Sequence, residues 1–155
     1  MGNYQGAQRR TFIFPIGEKP LGKKQFEPAH TTLIDGVVWY RDGKERPKEN
    51  QLSIADGSEG WAAYAIDGKL FLKKFEDTKP DVQAPGEAEV LFYASREADY
   101  IEFEIQGKYE SIEPGAGSSW SVRWIAVNIP SDIKIEEGSS DMVDLARKIC
   151  RTQRP

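Results

Sequence analysis

A single cysteine, Cys150, excludes an intramolecular disulfide and leaves no thiol cluster for zinc. It lies in a stretch that reads as helical, where a packing thiol is expected rather than a nucleophile. A single histidine, His30, excludes sites built on several imidazoles, and no nucleophile stands beside it from which a triad could be argued. Neither a metal nor a cofactor is expected. No apolar stretch approaches the ~18 residues that a membrane span needs. Residues 1–6 lack the apolar core of a signal peptide, and Gly6 stands where a myristoylation signal wants Ser or Thr. Basic charge is also scarce: the formal net charge is -4, so no chain-wide positive field exists to hold nucleic acid. The mildly basic end at Arg147, Lys148, Arg151 and Arg154 suits a helix C-terminus. There is no Walker loop and no EF-hand, and Gly115-Ala116-Gly117 falls between strands rather than at a strand-to-helix turn. The expectation is a soluble protein with no nucleic-acid or membrane partner; one cysteine is compatible with a reducing compartment, and the cytoplasm is slightly favoured while the compartment itself stays open.

What the sequence has in quantity is turns. It holds 14 Gly and 9 Pro, and Asp-Gly occurs at Asp35-Gly36, Asp42-Gly43, Asp56-Gly57 and Asp67-Gly68. Asp-Gly between apolar runs signals a tight hairpin, because the primed turn needs positive φ at both central residues. Residues 31–34 and 37–40 fit one hairpin, and 61–66 and 69–75 a second. Further strands are expected at 11–16, 87–93, 100–105, 109–112 and 119–128, with loops at 41–50 and 76–85. Short strands at such spacing point to a sandwich or barrel. One helix is expected over 139–153, with Ser139, Ser140 and Asp141 as caps and Met142, Leu145, Ala146 and Ile149 at helical spacing. The chain of 155 residues suits a single domain. The fold class is mostly β, an antiparallel sandwich with one C-terminal helix closing an end or edge of the sheet.

The strongest chemical signal is the alternation over 100–105. Ile101, Phe103 and Ile105 share one face of a strand, and Tyr100, Glu102 and Glu104 share the other. On the strand at 119–128, Ser121 and Arg123 share a face, while Trp120, Val122, Trp124 and Ala126 share the opposite one. Lys73 interrupts the apolar run of Leu70, Phe71 and Leu72, and Glu89 precedes Val90. If the sheet curves, Lys73, Glu89, Glu104 and Arg123 line one concave surface, with Glu102 beside them. Carboxylates, cations and aromatic rings together suit a sugar, whose hydroxyls take charged hydrogen bonds and whose C–H faces stack on rings. The same pattern fits an outer β face with cross-strand ion pairs of ~0.2–1 kcal/mol each, and the residues alone leave both open.

Residues 60–129 carry a resemblance. Gly60-Trp61, Tyr64, the run Leu70-Phe71-Leu72-Lys73-Lys74-Phe75, Glu89, Tyr100-Ile101-Glu102-Phe103-Glu104, Ile112-Glu113-Pro114-Gly115 and the pair Trp120 and Trp124 occur in order. The stretch resembles the C-terminal half of an uncharacterised, mainly bacterial family of galactose-mutarotase-like β-sandwich proteins. Residues 1–59 show no clear match, and the chain is shorter than the family's usual members, as a reduced version or a fragment would be. The resemblance implies an antiparallel sandwich whose concave face binds carbohydrate. It implies for Glu104 the role of general base on an anomeric hydroxyl. Mutarotases supply the acid from N-terminal histidines, and here only His30 stands in that half. Three readings follow: a carbohydrate-binding protein with Glu104, Lys73, Glu89, Glu102 and Arg123 around the ligand; an aldose epimerase or mutarotase-type isomerase with Glu104 as base; and a structural or interaction module without a small-molecule site. A homo-oligomer would form through a sheet edge or the C-terminal helix.

Overall fold

The computed structural model describes residues 10–17, 24–26, 30–41, 50–95 and 100–152. The 1–6 stretch, the Asp42-Gly43 pair, most of the 41–50 loop and the last residues, Arg154 among them, lie outside these. The strands are β1 (Thr11–Pro15), β2 (Lys24–Phe26), β3 (Thr31–Ile34), β4 (Val37–Arg41), β5 (Gln51–Ala55), β6 (Trp61–Ile66), β7 (Lys69–Lys74), β8 (Val90–Ala94), β9 (Ile101–Ile105) and β10 (Arg123–Asn128). One helix, α1, spans Ser140–Thr152. The strands form two antiparallel sheets, ordered β10-β7-β6-β1-β4-β3 and β2-β5-β8-β9. The fold is thus mostly β, with two sheets and a C-terminal helix.

β1 explains the layering. All five of its residues are buried, because alternate side chains enter two different cores. Ile13 joins Val37, Trp39, Trp61, Ala63, Ala65, Leu70 and Leu72 on one face of the larger sheet, against Met142, Val143, Ala146 and Ile149 of α1. Phe12 and Phe14 join Val38, Tyr40, Ala55, Ala62, Phe75, Val90, Phe92 and Ala94 on the other face, between the sheets. A strand buried on both faces reads as a continuous apolar run rather than an alternating one. α1 lies closest to β6, where small Ala63 and Ala65 let the helix backbone approach. A buried contact of 3.2 Å between Thr31 Oγ1 and Ser53 Oγ ties β3 of one sheet to β5 of the other.

Both Asp-Gly hairpins form as expected. Asp35 and Gly36 have φ of 49° and 73°, and Asp67 and Gly68 have 54° and 70°, the left-handed pair that a primed turn requires. The helix is capped by Ser139, whose Oγ accepts from Met142 N at 3.4 Å. Its outer face is fastened by Arg147, which donates to both Glu59 oxygens, at 2.6 Å from Nη2 and 2.9 Å from Nε. Lys74 Nζ donates to the Cys150 carbonyl at 2.9 Å, placing a cation at the negative helix end. The Cys150 thiol packs against the helix-side core, and burial pushes it up to about 11, so it stays protonated at neutral pH.

Four expectations need correction. The helix covers a face of the larger sheet rather than an end or edge, because its apolar stripe matches that sheet's second face. Residues 109–112 form no strand: Tyr109 and Ile112 are both exposed, so no apolar face is buried to hold one. The expected strand at 119–128 begins only at Arg123, where pairing with Lys74 starts. Strands β2 and β5 were not foreseen at all.

Gly60 has φ of 64°, and a Cβ there would lie 2.6 Å from the Phe75 carbonyl oxygen, which sits beside the Phe75 N to Gly60 O bond of 2.9 Å. Gly60→Ala is expected to cost about 1–3 kcal/mol through backbone strain, read as a lower urea midpoint. An unchanged midpoint would show that this corner is not held as described.

Candidate functional site

β7 and β10 pair so that Lys73 lies directly opposite Trp124, and directly paired residues share a face of the sheet. That face looks toward the smaller sheet, yet β10 is the outermost strand. Trp124 is consequently 67% exposed. Phe71 meets it edge-on at 5.6 Å and 89° and meets Phe103 of β9 at 5.6 Å and 65°. Lys73 reaches across the gap between the sheets. Its Nζ donates to the Phe103 carbonyl at 2.6 Å, and it lies 4.1 Å from the Phe103 ring centroid and 5.1 Å from that of Trp124. Burial lowers the Lys73 pKa, partly offset by the Glu104 carboxylate. The result is a half-buried ammonium set over two aromatic rings that Phe71 joins edge-on, with a carboxylate acting on it and the Trp124 indole largely exposed.

Of the expected site residues Lys73 lies in this corner, and Glu104 acts on it electrostatically from the outward face of β9. Glu102 shares the outward face of β9 with Glu104 and lies opposite Tyr93, whereas Glu104 lies opposite Leu91. Arg123 does not join them. It pairs with Lys74, so it occupies the other face of the larger sheet, one residue out of phase with Trp124. The inward residues of β10 are Ile125 and Val127, packed toward the helix, and not the tryptophans.

Glu89 is elsewhere and wholly buried. It precedes β8, and its Oε1 accepts from Thr78 N at 2.5 Å and Thr78 Oγ1 at 2.9 Å. Its Oε2 has no hydrogen-bond partner among the described residues and faces Gly57, where a Cβ would come within 2.6 Å. Burial pushes the Glu89 carboxyl up to about 7 against the two Thr78 bonds, with Asp77 and Asp56 adding to the rise. Asp56 is also raised, by burial first and by Asp77, although it accepts from Gln83 Nε2. Asp77 is raised by burial, offset by a bond from the Gly60 backbone.

His30 lies before β3, with Nδ1 3.2 Å from the Arg41 carbonyl oxygen. β3 is four strands from β7 in the sheet, about 19 Å at the usual strand spacing. Among the described residues, no group of three or more His, Cys, Asp or Glu could hold a metal ion, and no helix is long and apolar enough to cross a membrane. No protein-family model, curated protein or solved structure matches the chain.

Sequence reasoning missed Phe71 and Trp124 as parts of the site. The signal was present in one form: Lys73 and Trp124 both sit on strands whose neighbours alternate, and pairing them needs only the register of β7 with β10. It also missed Asp56, Asp77 and Thr78 around Glu89, which come from two separate segments, the end of β5 and the connection after β7, and carry no shared spacing.

Proposed function

We propose that this protein binds a carbohydrate at the open corner formed by Trp124, Lys73 and Glu104. The observation that carries the reading is the exposed Trp124 ring beside a half-buried ammonium. With its ring perpendicular to Phe71 and the Lys73 ammonium over the ring at 5.1 Å, the Trp124 indole is still 67% exposed and offers apolar ring surface on which sugar C–H groups stack. One of the three Lys73 N–H groups goes to the Phe103 carbonyl, which leaves two for a ligand's oxygens. Glu104 supplies the acceptor for its hydroxyls. The relation to galactose-mutarotase-like sandwiches belongs to the same proposal, and two antiparallel sheets with the matching residues over 60–129 support it.

Binding is favoured over mutarotation. Epimerisation needs an acid on the ring oxygen opposite the base, and His30 stands about 19 Å from β7 on strand count. The reading is tested with a panel of neutral hexoses, hexosamines and hexuronic acids, followed by tryptophan emission and thermal shift. At least one class is expected to quench emission and raise the Tm. Trp124→Ala should weaken that binding tenfold or more, about 1.4 kcal/mol, with stability within about 0.5 kcal/mol of the parent because the side chain is exposed. No response to any class, or equal affinity in Trp124→Ala, would remove the proposal in favour of an interaction surface along the outer strand β10.

A further inference from the structure

Most of the connection between β7 and β8 is polar and exposed. Of residues 76–88 only Thr78 and Ala88 are buried, so few apolar contacts hold the segment down. Its attachments are hydrogen bonds. Thr78 gives two to Glu89 Oε1. Gln83 Nε2 donates to Asp56 and, at 3.4 Å, to the Thr78 carbonyl. The Val82 carbonyl accepts from Tyr109 N at 2.7 Å, and Glu87 accepts from Gln106 Nε2 at 3.0 Å. The next stretch leans on this one. Gln106 N also donates to the Glu89 carbonyl at 2.8 Å, and the Trp120 ring lies over Gly107, where a Cβ would meet its Cδ2 at 2.7 Å.

At the root of these contacts stands Glu89, with one oxygen saturated and the other walled by Gly57. The charged groups that act on it are both negative: Asp56 from the end of β5 and Asp77 from the end of β7. From the end of β9 only the neutral Gln106 approaches, and its side chain is engaged by Glu87. A carboxylate at this point would be a third negative charge, itself wholly buried, and among the described residues the charged groups acting on it are both negative. Segments with few buried apolar contacts open at low free energy, and opening would give that charge water.

We propose that the Glu89 carboxyl is a proton-operated latch: neutral, it holds residues 76–88 and, through them, 106–109 against the sandwich; ionised, it releases both. The closed state binds the proton and the open state gives it up, so each biases the other by linkage. The device lies apart from Trp124 and does not depend on a sugar binding there. Its reach toward the surface runs through Val82, Tyr109 and Gly107 to Trp120.

The test is hydrogen exchange on the full chain at about pH 5.5 and about pH 8, corrected for intrinsic rates. In the parent, amides of 76–82 and 106–109 are expected to lose protection at the higher pH by at least about tenfold, with β1 and α1 remaining better protected than either segment at both pH values. Glu89→Gln keeps the acceptor for Thr78 and carries no charge at either pH, so its protection should be the same at both. Equal protection of the parent at both pH values, or the same pH dependence in Glu89→Gln, would overturn the latch. If Glu89→Gln does not fold, carboxyl ¹³C titration of the parent decides: a Glu89 midpoint matching that of the exchange supports the latch, and one at the ordinary glutamate value overturns it.

Discussion

Phe92→Ala is expected to destabilise the fold by about 3–5 kcal/mol, a large share of the roughly 5–15 kcal/mol that a domain has in total. The side chain has no exposed surface and joins the two sheets. Its ring stacks on Phe12 at 4.5 Å and 18° and meets Tyr40 at 4.3 Å and 44°. Phe12 and Tyr40 lie opposite each other on β1 and β4 of the larger sheet, so truncation opens a cavity under two rings at once. Neither ring can follow the retreating surface, because β1 and β4 are also held on their second face by the helix-side core. The measurement is a urea titration, with the neighbouring Leu91→Ala as control. Leu91 lies on the outer face of the same strand and is only half-buried, so it should cost about 1 kcal/mol. Equal effects for the two variants would mean that β8 does not present Phe92 to the larger sheet.

The same packing shows why parts of this fold were readable from the chain and parts were not. Asp35-Gly36 and Asp67-Gly68 encode their hairpins locally, in residues that tolerate positive φ. Alternation from Ile101 to Ile105 likewise placed Phe103 inside and Glu104 outside, and the spacing of Met142, Ala146 and Ile149 marked a buried helix face. Position in the sheet is not local. Trp124 has the composition of a core residue, and it lies exposed because β10 is outermost and its other face meets the helix. Arg123 fell on the wrong face for the same reason, a phase set by Ile125 and Val127. β5 escaped notice although Leu52 and Ile54 alternate with Gln51 and Ser53 and Asp56-Gly57 follows, because its partners β2 and β8 are not its hairpin neighbours across that turn. Glu89 was placed on a concave surface with Lys73, but burial by Thr78 and Gly57 is a property of three distant segments meeting.

Stability is expected to fall as pH rises from the ordinary glutamate value of 4.5 to about 7, by at most about 3 kcal/mol from Glu89 alone. The sign follows from the protons bound. Between those two values the folded protein keeps the Glu89 proton and the unfolded chain has lost it, so each step up in pH favours the unfolded state. Below 4.5 both states are protonated and the contribution is complete; above about 7 both are ionised and no further loss occurs. Asp56 and Asp77, also raised, act in the same direction starting from their ordinary value of 3.8. Glu59 acts oppositely: the Arg147 bonds hold it below 4.5, so its stabilisation is present above that value and disappears as the protein is acidified. The two effects therefore occupy different windows, and a loss between pH 4.5 and 7 is not confused with loss of the helix clamp. Urea midpoints taken across this range should decline in the parent and flatten in Glu89→Gln, leaving only the smaller share from Asp56 and Asp77. A parent whose midpoint rises over the same range would place the Glu89 proton on the unfolded side and contradict the closed, neutral carboxyl on which the latch depends.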